Sequence, residues 1–399
     1  MDIDLLRRRE NNEIIDHVEA IREIISQKCS RCNDFWCMGC TFDTVDSATI
    51  PAMLDNIIDL MGHVPNDRVK TVKSGQRNHQ KRKAFWQKVA REVNIKNKPL
   101  HELFQQAFDN GDIDTLRALR LDIINETIRL AQSGSYEVSG KTILLQNAEP
   151  MMSGSVLYTN LDMMETISTS IGQSTIVEVL DCDSLLAGKR LLDEGYNPAV
   201  LNFANRRTPG GGVLRGSGAQ EENIFRRSNL SLSLYQFHWH GKQFNVPQKE
   251  EQYPLDRNTG GVYSPHVTVF RGLELDGYPL LERPYQVGIV TVAALNRPAL
   301  KDSEHLADDM VPPTLRKIRT IFRIALRHGH DALVLGAWGC GAFKNPPEHI
   351  AQLFHEVMNE DEFRNQFKKI VFAVIDRKGI DKMADKKGNL ETFQAEFGG

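Results

Sequence analysis

Leu201-Asn-Phe-Ala-Asn-Arg-Arg-Thr-Pro-Gly-Gly-Gly-Val-Leu-Arg-Gly-Ser-Gly-Ala-Gln-Glu-Glu222 is the stretch on which the reading of this chain turns. It begins as an apolar strand that ends near Asn202, passes through Gly210, Gly211 and Gly212, and reaches Gln220-Glu221-Glu222 after seven further residues. Consecutive glycines admit positive φ and close backbone approach, so their N–H groups can surround a phosphate. No Lys-Ser or Lys-Thr follows, which excludes a Walker loop, and the spacing is not G-x-G-x-x-G. Alone, the triplet also fits a flexible turn, and Glu221-Glu222 also fits the charged first turn of a helix. A second glycine-rich segment, Leu335-Gly-Ala-Trp-Gly-Cys-Gly-Ala-Phe343, follows another apolar strand. Two such loops at strand ends match the edge where α/β proteins bind ligands, and Phe343 could stack on a ring or a ribose.

Outward from these loops, short apolar runs alternate with helical patterns. Strands are expected at 141–146, 174–180, 198–202, 266–270, 287–294, 332–335 and 370–375, and helices at 112–132, 185–194, 314–327 and 347–359. Continuous apolar strands between helices predict an α/β fold with a sheet covered on both faces. Residues 238–262 are polar and rich in Gln and Gly, which suggests a long functional loop. His238 and His240 within it lack an obvious third metal ligand and read as loop residues. Cys340, flanked by glycines with no histidine placed to activate it, reads as a small packed residue.

The N-terminal part has a different texture. The chain has 399 residues, room for two or three domains of roughly 100–200 residues each. Lys plus Arg is 49 against 52 for Asp plus Glu, a net charge of −3, which excludes a histone-like polycation. No apolar run approaches the ~18–20 residues of a membrane helix, and the first twenty residues are charged. The expectation is an intracellular, cytoplasmic protein without a membrane partner; Lys81-Arg82-Lys83 is too short a run to assign it to the nucleus. The near-neutral total hides residues 68–98, with eleven basic residues against the single acid Glu92. Such a segment attracts polyanions by counterion release, or is a solvated helix face. Four of the six cysteines, Cys29, Cys32, Cys37 and Cys40, form C-x2-C-x4-C-x2-C. Four thiolates hold a structural zinc ion tetrahedrally. The short central gap leaves an iron–sulfur cluster as the rival, since that too takes four cysteines. Two domains are expected: a mainly helical module over 1–110 carrying this metal site and the basic run, and an α/β domain over 111–399.

Read together, these motifs resemble the poly(ADP-ribose) glycohydrolases, a macrodomain-derived family marked by a glycine triplet, a short spacer and Gln-Glu-Glu. Cys182-Asp183-Ser184, Asn202-Phe-Ala-Asn205, Tyr263 to Arg271, Ala293-Ala-Leu-Asn296 and Gly336 to Phe343 look like the microbial-type branch. The resemblance implies a macrodomain-like mixed sheet sandwiched between helices. It implies hydrolysis of the ribose–ribose O-glycosidic bonds of poly(ADP-ribose), from the chain terminus, with release of ADP-ribose and no metal in catalysis. Carried to this chain, Glu222 would be the general acid and base. Glu221 and Asn205 would hold the ribose beside the scissile bond, and Gln220 would hold the loop. Gly210, Gly211 and Gly212, with Gly339, Gly341 and Ala342, would line the diphosphate, Phe343 would pack on the ribose, and Asp183 would meet the adenine amino group.

The chemistry agrees. Cleaving such a bond needs an acid for the departing oxygen and stabilisation of an oxocarbenium-like transition state. A glutamate beside a second glutamate should hold its proton to higher pH through like-charge repulsion. Two other readings stand beside this one: a hydrolase of mono-ADP-ribose on protein or nucleic acid, and a non-catalytic ADP-ribose reader. The intact acid pair argues against a reader. Poly(ADP-ribose) itself, or ADP-ribosylated protein or nucleic acid, is the partner expected for residues 68–98.

Overall fold

The computed structural model describes residues 100–159, 174–375 and 388–398. The four cysteines, the basic run and the helices expected upstream of residue 100 lie outside the described residues. Helix α1 (Leu100–Asp109) and helix α2 (Ile113–Ser133) open the described part. The hairpin β1 (Ser135–Val138) and β2 (Lys141–Leu144) follows, then the short α3 (Glu149–Gly154). Next come β3 (Val156–Tyr158), β4 (Ile176–Leu180), α4 (Ser184–Asp193) and β5 (Pro198–Phe203). The chain continues through α5 (Gln220–Arg227), α6 (Leu230–Leu234) and α7 (His240–Gln243) to β6 (Gly261–Arg271) and β7 (Leu280–Val292). It closes with α8 (Val311–Arg327), β8 (Ala332–Leu335), α9 (Pro347–Met358), β9 (Lys369–Ala373) and α10 (Asn389–Phe397).

Seven strands form one mixed sheet in the order β3-β6-β7-β5-β8-β9-β4. β7, β5, β8, β9 and β4 pair in parallel, and β6 runs against both of its neighbours. The central strands read as unbroken apolar runs because both faces are covered. Leu185, Phe225, Leu230 and Val200 belong to the core on one face, and Ile318, Ile321, Trp338 and Phe354 to the core on the other. Parallel pairing sets the C-terminal ends of β5, β7 and β8 along one edge, and both glycine-rich loops leave from that edge. No described helix is long and apolar enough to cross a membrane.

Two strand expectations need adjustment. The strand expected at 266–270 is longer, because Pro265 and His266 sit at a register shift between Ser264 and Val267 where a ladder donor is not required. β7 extends from 287 back to Leu280, a mostly half-buried stretch in which Glu282, Arg283 and Pro284 interrupt the apolar run. The stretch 238–262 is a loop apart from α7 and the first residues of β6, and it is tied to the body: Tyr253 N–H donates to Phe237 O (2.8 Å) and Leu255 N–H to Arg206 O (2.8 Å).

Helix α1 lies on the N-terminal side of the boundary expected at residue 110, yet it packs on the α/β body. Phe104 is fully buried, with its ring 5.5 Å from that of Tyr278 in an edge-on contact. Phe104→Ala should therefore lower the unfolding free energy of the α/β body by about 3–5 kcal/mol, the usual cost of emptying a buried aromatic site. Chemical denaturation followed by tryptophan fluorescence measures it; a loss below about 1 kcal/mol would place α1 outside the body.

Candidate active site

Helix α5 begins at the first residue of Gln220-Glu221-Glu222, and Gln220 joins it to the strand behind. Its side-chain oxygen accepts from Phe203 N–H (2.9 Å), and its amide nitrogen donates to Leu201 O (2.7 Å) and Ser184 Oγ (3.1 Å). Gln220 thus substitutes for a ladder partner at the end of β5 and ties the start of α5 to it. The two glutamates that follow lie in the first turn, where helix N–H groups favour negative charge.

Both glutamates are buried, and the glycine loop closes over them. Glu221 accepts from Asn205 N–H on one oxygen (2.7 Å) and from Gly210 N–H on the other (2.9 Å). Glu222 Oε1 accepts from Gly212 N–H (2.8 Å). Glu222 Oε2 is buried and has no partner. Gly211 sits between the two acids with φ of +54°; a Cβ there would lie 2.7 Å from Glu222 Oε1 and 3.0 Å from Glu221 Oε2. Only glycine allows both carboxyl groups to approach that point.

This corrects the expectation that the triplet's amides surround a phosphate. Gly210 and Gly212 donate to the acids, and Gly211 donates to Thr208 O (2.9 Å). All three N–H groups are satisfied inside the protein, so the triplet is a carboxylate clamp. The second loop is the opposite case. The amides of Gly339, Gly341, Ala342 and Phe343 donate to no acceptor among the described residues. Gly341 and Ala342 are exposed, and the space beside the Gly341 Cα is open. Successive free amides in a turn form an anion-binding concavity. The buried amide of Asn345 shapes that turn, donating to Leu295 O (2.7 Å) and Gly339 O (3.1 Å). Gly339 has a φ of +79°, and Ala294 and Asn345 close in beside it.

Burial, and then the charge of Glu222, pushes the Glu221 carboxyl well above the usual range; hydrogen bonds from Asn205, Gly210 and Asn202 oppose the shift. Desolvation is thus the larger cause, ahead of the like-charge repulsion visible in the sequence. Burial also raises the hydroxyls of Tyr235 and Tyr253, with Glu221's charge as a second cause. Both hydroxyls are buried without a partner. Neither tyrosine stands out in the sequence, because nothing local distinguishes a buried phenol near an acid from a core aromatic.

The other expected residues divide. Asn205 Oδ1 accepts from Arg207 N–H (2.9 Å) and Thr208 N–H (3.1 Å), leaving its NH2 group to meet a ligand. Asp183 caps α4 through its Oδ1 and pairs with Arg227. Phe343 is half-buried against the core below the second loop. The Cys340 thiol is pushed up by burial, consistent with a packing role. His238 is lowered to about 4 by burial, and no metal-binding cluster of three or more His, Cys, Asp or Glu occurs among the described residues.

Residues 124–272 match the family model described as the catalytic domain of microbial-type PARG, the poly(ADP-ribose) glycohydrolase. The poly(ADP-ribose) glycohydrolase of Thermomonospora curvata is similar with 31% identity and a TM-score of 0.57, over 70% of this chain and 99% of that one. The same protein bound to the inhibitor ADP-HPD gives 32% and 0.56, with the same coverage. The Deinococcus radiodurans enzyme in complex with ADP-ribose gives 31% and 0.51, over 64% of this chain and 98% of that one. No curated protein matches the chain.

Gly211→Ala tests the clamp. The added methyl meets both carboxyl groups and imposes an unfavourable φ, so stability should fall by about 1–2 kcal/mol. Displacement of the acids should reduce any hydrolytic activity about 100-fold or more. Thermal melts and initial rates measure the two effects, and near-normal rates would remove the clamp from the account.

Proposed function

The chain belongs to the microbial-type poly(ADP-ribose) glycohydrolases; it hydrolyses poly(ADP-ribose) to ADP-ribose, and we propose that Glu222 performs the proton transfers. The observation that carries this assignment is Glu222 Oε2, buried and unpartnered beside an oxygen held by the Gly212 amide. A protonated carboxyl there donates to the ribose oxygen that leaves as the glycosidic C–O bond breaks. The resulting carboxylate then takes a proton from the water that attacks the oxocarbenium-like carbon. Both acids meet at Gly211, and on this reading one group, Glu222, serves as acid and then as base. The arrangement departs from the usual glycosidase, whose two carboxylates have separate roles.

Glu221 and the Asn205 amide would orient the ribose beside the scissile bond. The free amides of Gly339, Gly341, Ala342 and Phe343 would hold the diphosphate, and Phe343 would pack on the ribose. Asp183 Oδ2, which takes part in none of the cap and ion-pair bonds, would accept from the adenine amino group. Holding the bond between these anchors supplies much of the rate by positioning. Beyond the α/β domain, residues 68–98 would bind a polyanion, either the polymer or an ADP-ribosylated protein or nucleic acid. Cys29, Cys32, Cys37 and Cys40 would bind one structural zinc ion, and their spacing supports that reading. A cytoplasmic location is proposed on the same sequence grounds.

Glu222→Gln keeps an acceptor for the Gly212 amide and removes the acid. Turnover of poly(ADP-ribose) should fall about 10²–10⁴-fold, while ADP-ribose affinity by calorimetry stays within about threefold. Stability should move the other way. Glu221 binds its proton more tightly folded than unfolded, so wild-type stability falls as pH rises from the ordinary glutamate range toward the folded value. Removing the neighbouring charge relieves this, raising Tm by roughly 2–4 °C at pH 8. The gain should shrink as pH falls below the ordinary glutamate range, where Glu221 is protonated both folded and unfolded. Full turnover by the variant would remove Glu222 from the mechanism.

For the metal site, elemental analysis of the purified full chain should find one zinc per chain, reduced by Cys32→Ser. Iron with a visible cluster absorbance would replace zinc, and absence of both would end the proposal.

A further inference from the structure

We propose that Arg227 is a positioning residue for adenine: it locks the carboxylate of Asp183 to the helix that carries the acid pair. This deepens the reading of Asp183 as the acceptor for the adenine amino group, and rests on it. Arg227 is the last residue of α5 and is 1% exposed. Its Nη1 donates to Asp183 Oδ1 at 2.6 Å and to Asn223 Oδ1 at 3.3 Å, and its Nε donates to Arg271 O at 3.3 Å. The same Asp183 Oδ1 accepts from Leu185 N–H (3.0 Å) and Leu186 N–H (3.2 Å) at the start of α4. Three groups therefore converge on one oxygen, and Oδ2 takes part in none of these bonds.

Capping α4 does not require this arrangement. Ser, Thr or Asn caps a helix as well as Asp does, without an arginine. Stability alone does not explain the pair either, because desolvating a guanidinium and a carboxylate offsets most of their attraction. What the pair does is fix the carboxylate plane and aim its free oxygen. The planar guanidinium, itself held by the Arg271 carbonyl and the Asn223 side chain, cannot swing with the α4 cap. The cap oxygen is thereby pinned from two elements at once.

The same helix carries Glu222 in its first turn and Arg227 at its end, five residues later. That separation is roughly 7.5 Å along the axis. Base recognition and proton transfer are thus mounted on one short rigid element. A ligand whose base presents a 6-amino group meets an aimed acceptor. A 6-oxo purine presents a second acceptor to the same carboxylate and is repelled.

The test compares ADP-ribose with inosine diphosphate ribose by calorimetry on the full chain, in wild type, Arg227→Gln and Arg227→Lys. Thermal stability is recorded for each. Wild type should bind ADP-ribose about tenfold or more tighter, the discrimination expected of one hydrogen bond to a charged acceptor. In Arg227→Gln the ratio should fall toward unity. In Arg227→Lys, which keeps the charge but loses the fork, the ratio should be intermediate. A structural role would lower Tm and leave the ratio unchanged. Wild-type discrimination retained in a folded Arg227→Gln overturns the proposal, and if that variant does not fold, full discrimination by Arg227→Lys does so. Equal binding of the two ligands by wild type would instead contradict the Asp183 reading, and with it this inference.

Discussion

The site depends on two like charges held in a space too dry for both. Glu221 and Glu222 sit on consecutive residues, buried beneath a loop that presents three backbone amides. Water would normally separate and solvate such carboxylates. Here the protein replaces water with fixed N–H donors, and burial, with the charge of Glu222 second, pushes the Glu221 carboxyl well above the usual glutamate range. The glycine at position 211 exists for this arrangement, since any side chain would occupy the point where the acids meet. The strand end, Gln220 and the triplet are the supports of that one contact.

The two glycine loops divide the work. The triplet turns inward and holds the acids, while in the second loop the amides of Gly341, Ala342 and Phe343 have no acceptor among the described residues. On the proposed reading, the diphosphate is gripped at the second loop while the ribose–ribose bond is cut at the acids, which the triplet holds still. Stability is lost to function at this point, because burial holds the Glu221 carboxyl well above its usual range without a full set of compensating partners. Helix α5 joins the ends, with the acids at its start and Arg227 at its end.

Much of this is legible in the sequence. The parallel strands 332–335 and 198–203 show as apolar runs because both of their faces are buried, and the acid pair shows through its spacing from the glycines. Strands β1 and β3, which are short and lie at edges, give no such run. The inward turn of the triplet's amides is invisible, because a glycine run signals backbone freedom without saying what the N–H groups meet. Arg227 is invisible for a related reason. Arg226 and Arg227 end a short helix in the manner of solvated charges, and only the tertiary structure buries them against Ser217, Tyr278, Arg271 and Asp183.

The most direct test of the account is a carbon-13 NMR titration of glutamate side-chain carboxyls in wild type and Glu222→Gln. The account predicts one carboxyl in the wild type that titrates well above the ordinary glutamate value of about 4.3, and whose midpoint moves down when Glu222 is neutralised. If every glutamate titrates in the ordinary range, and the substitution moves none of them, the clamp does not hold a proton and the mechanism built on it fails.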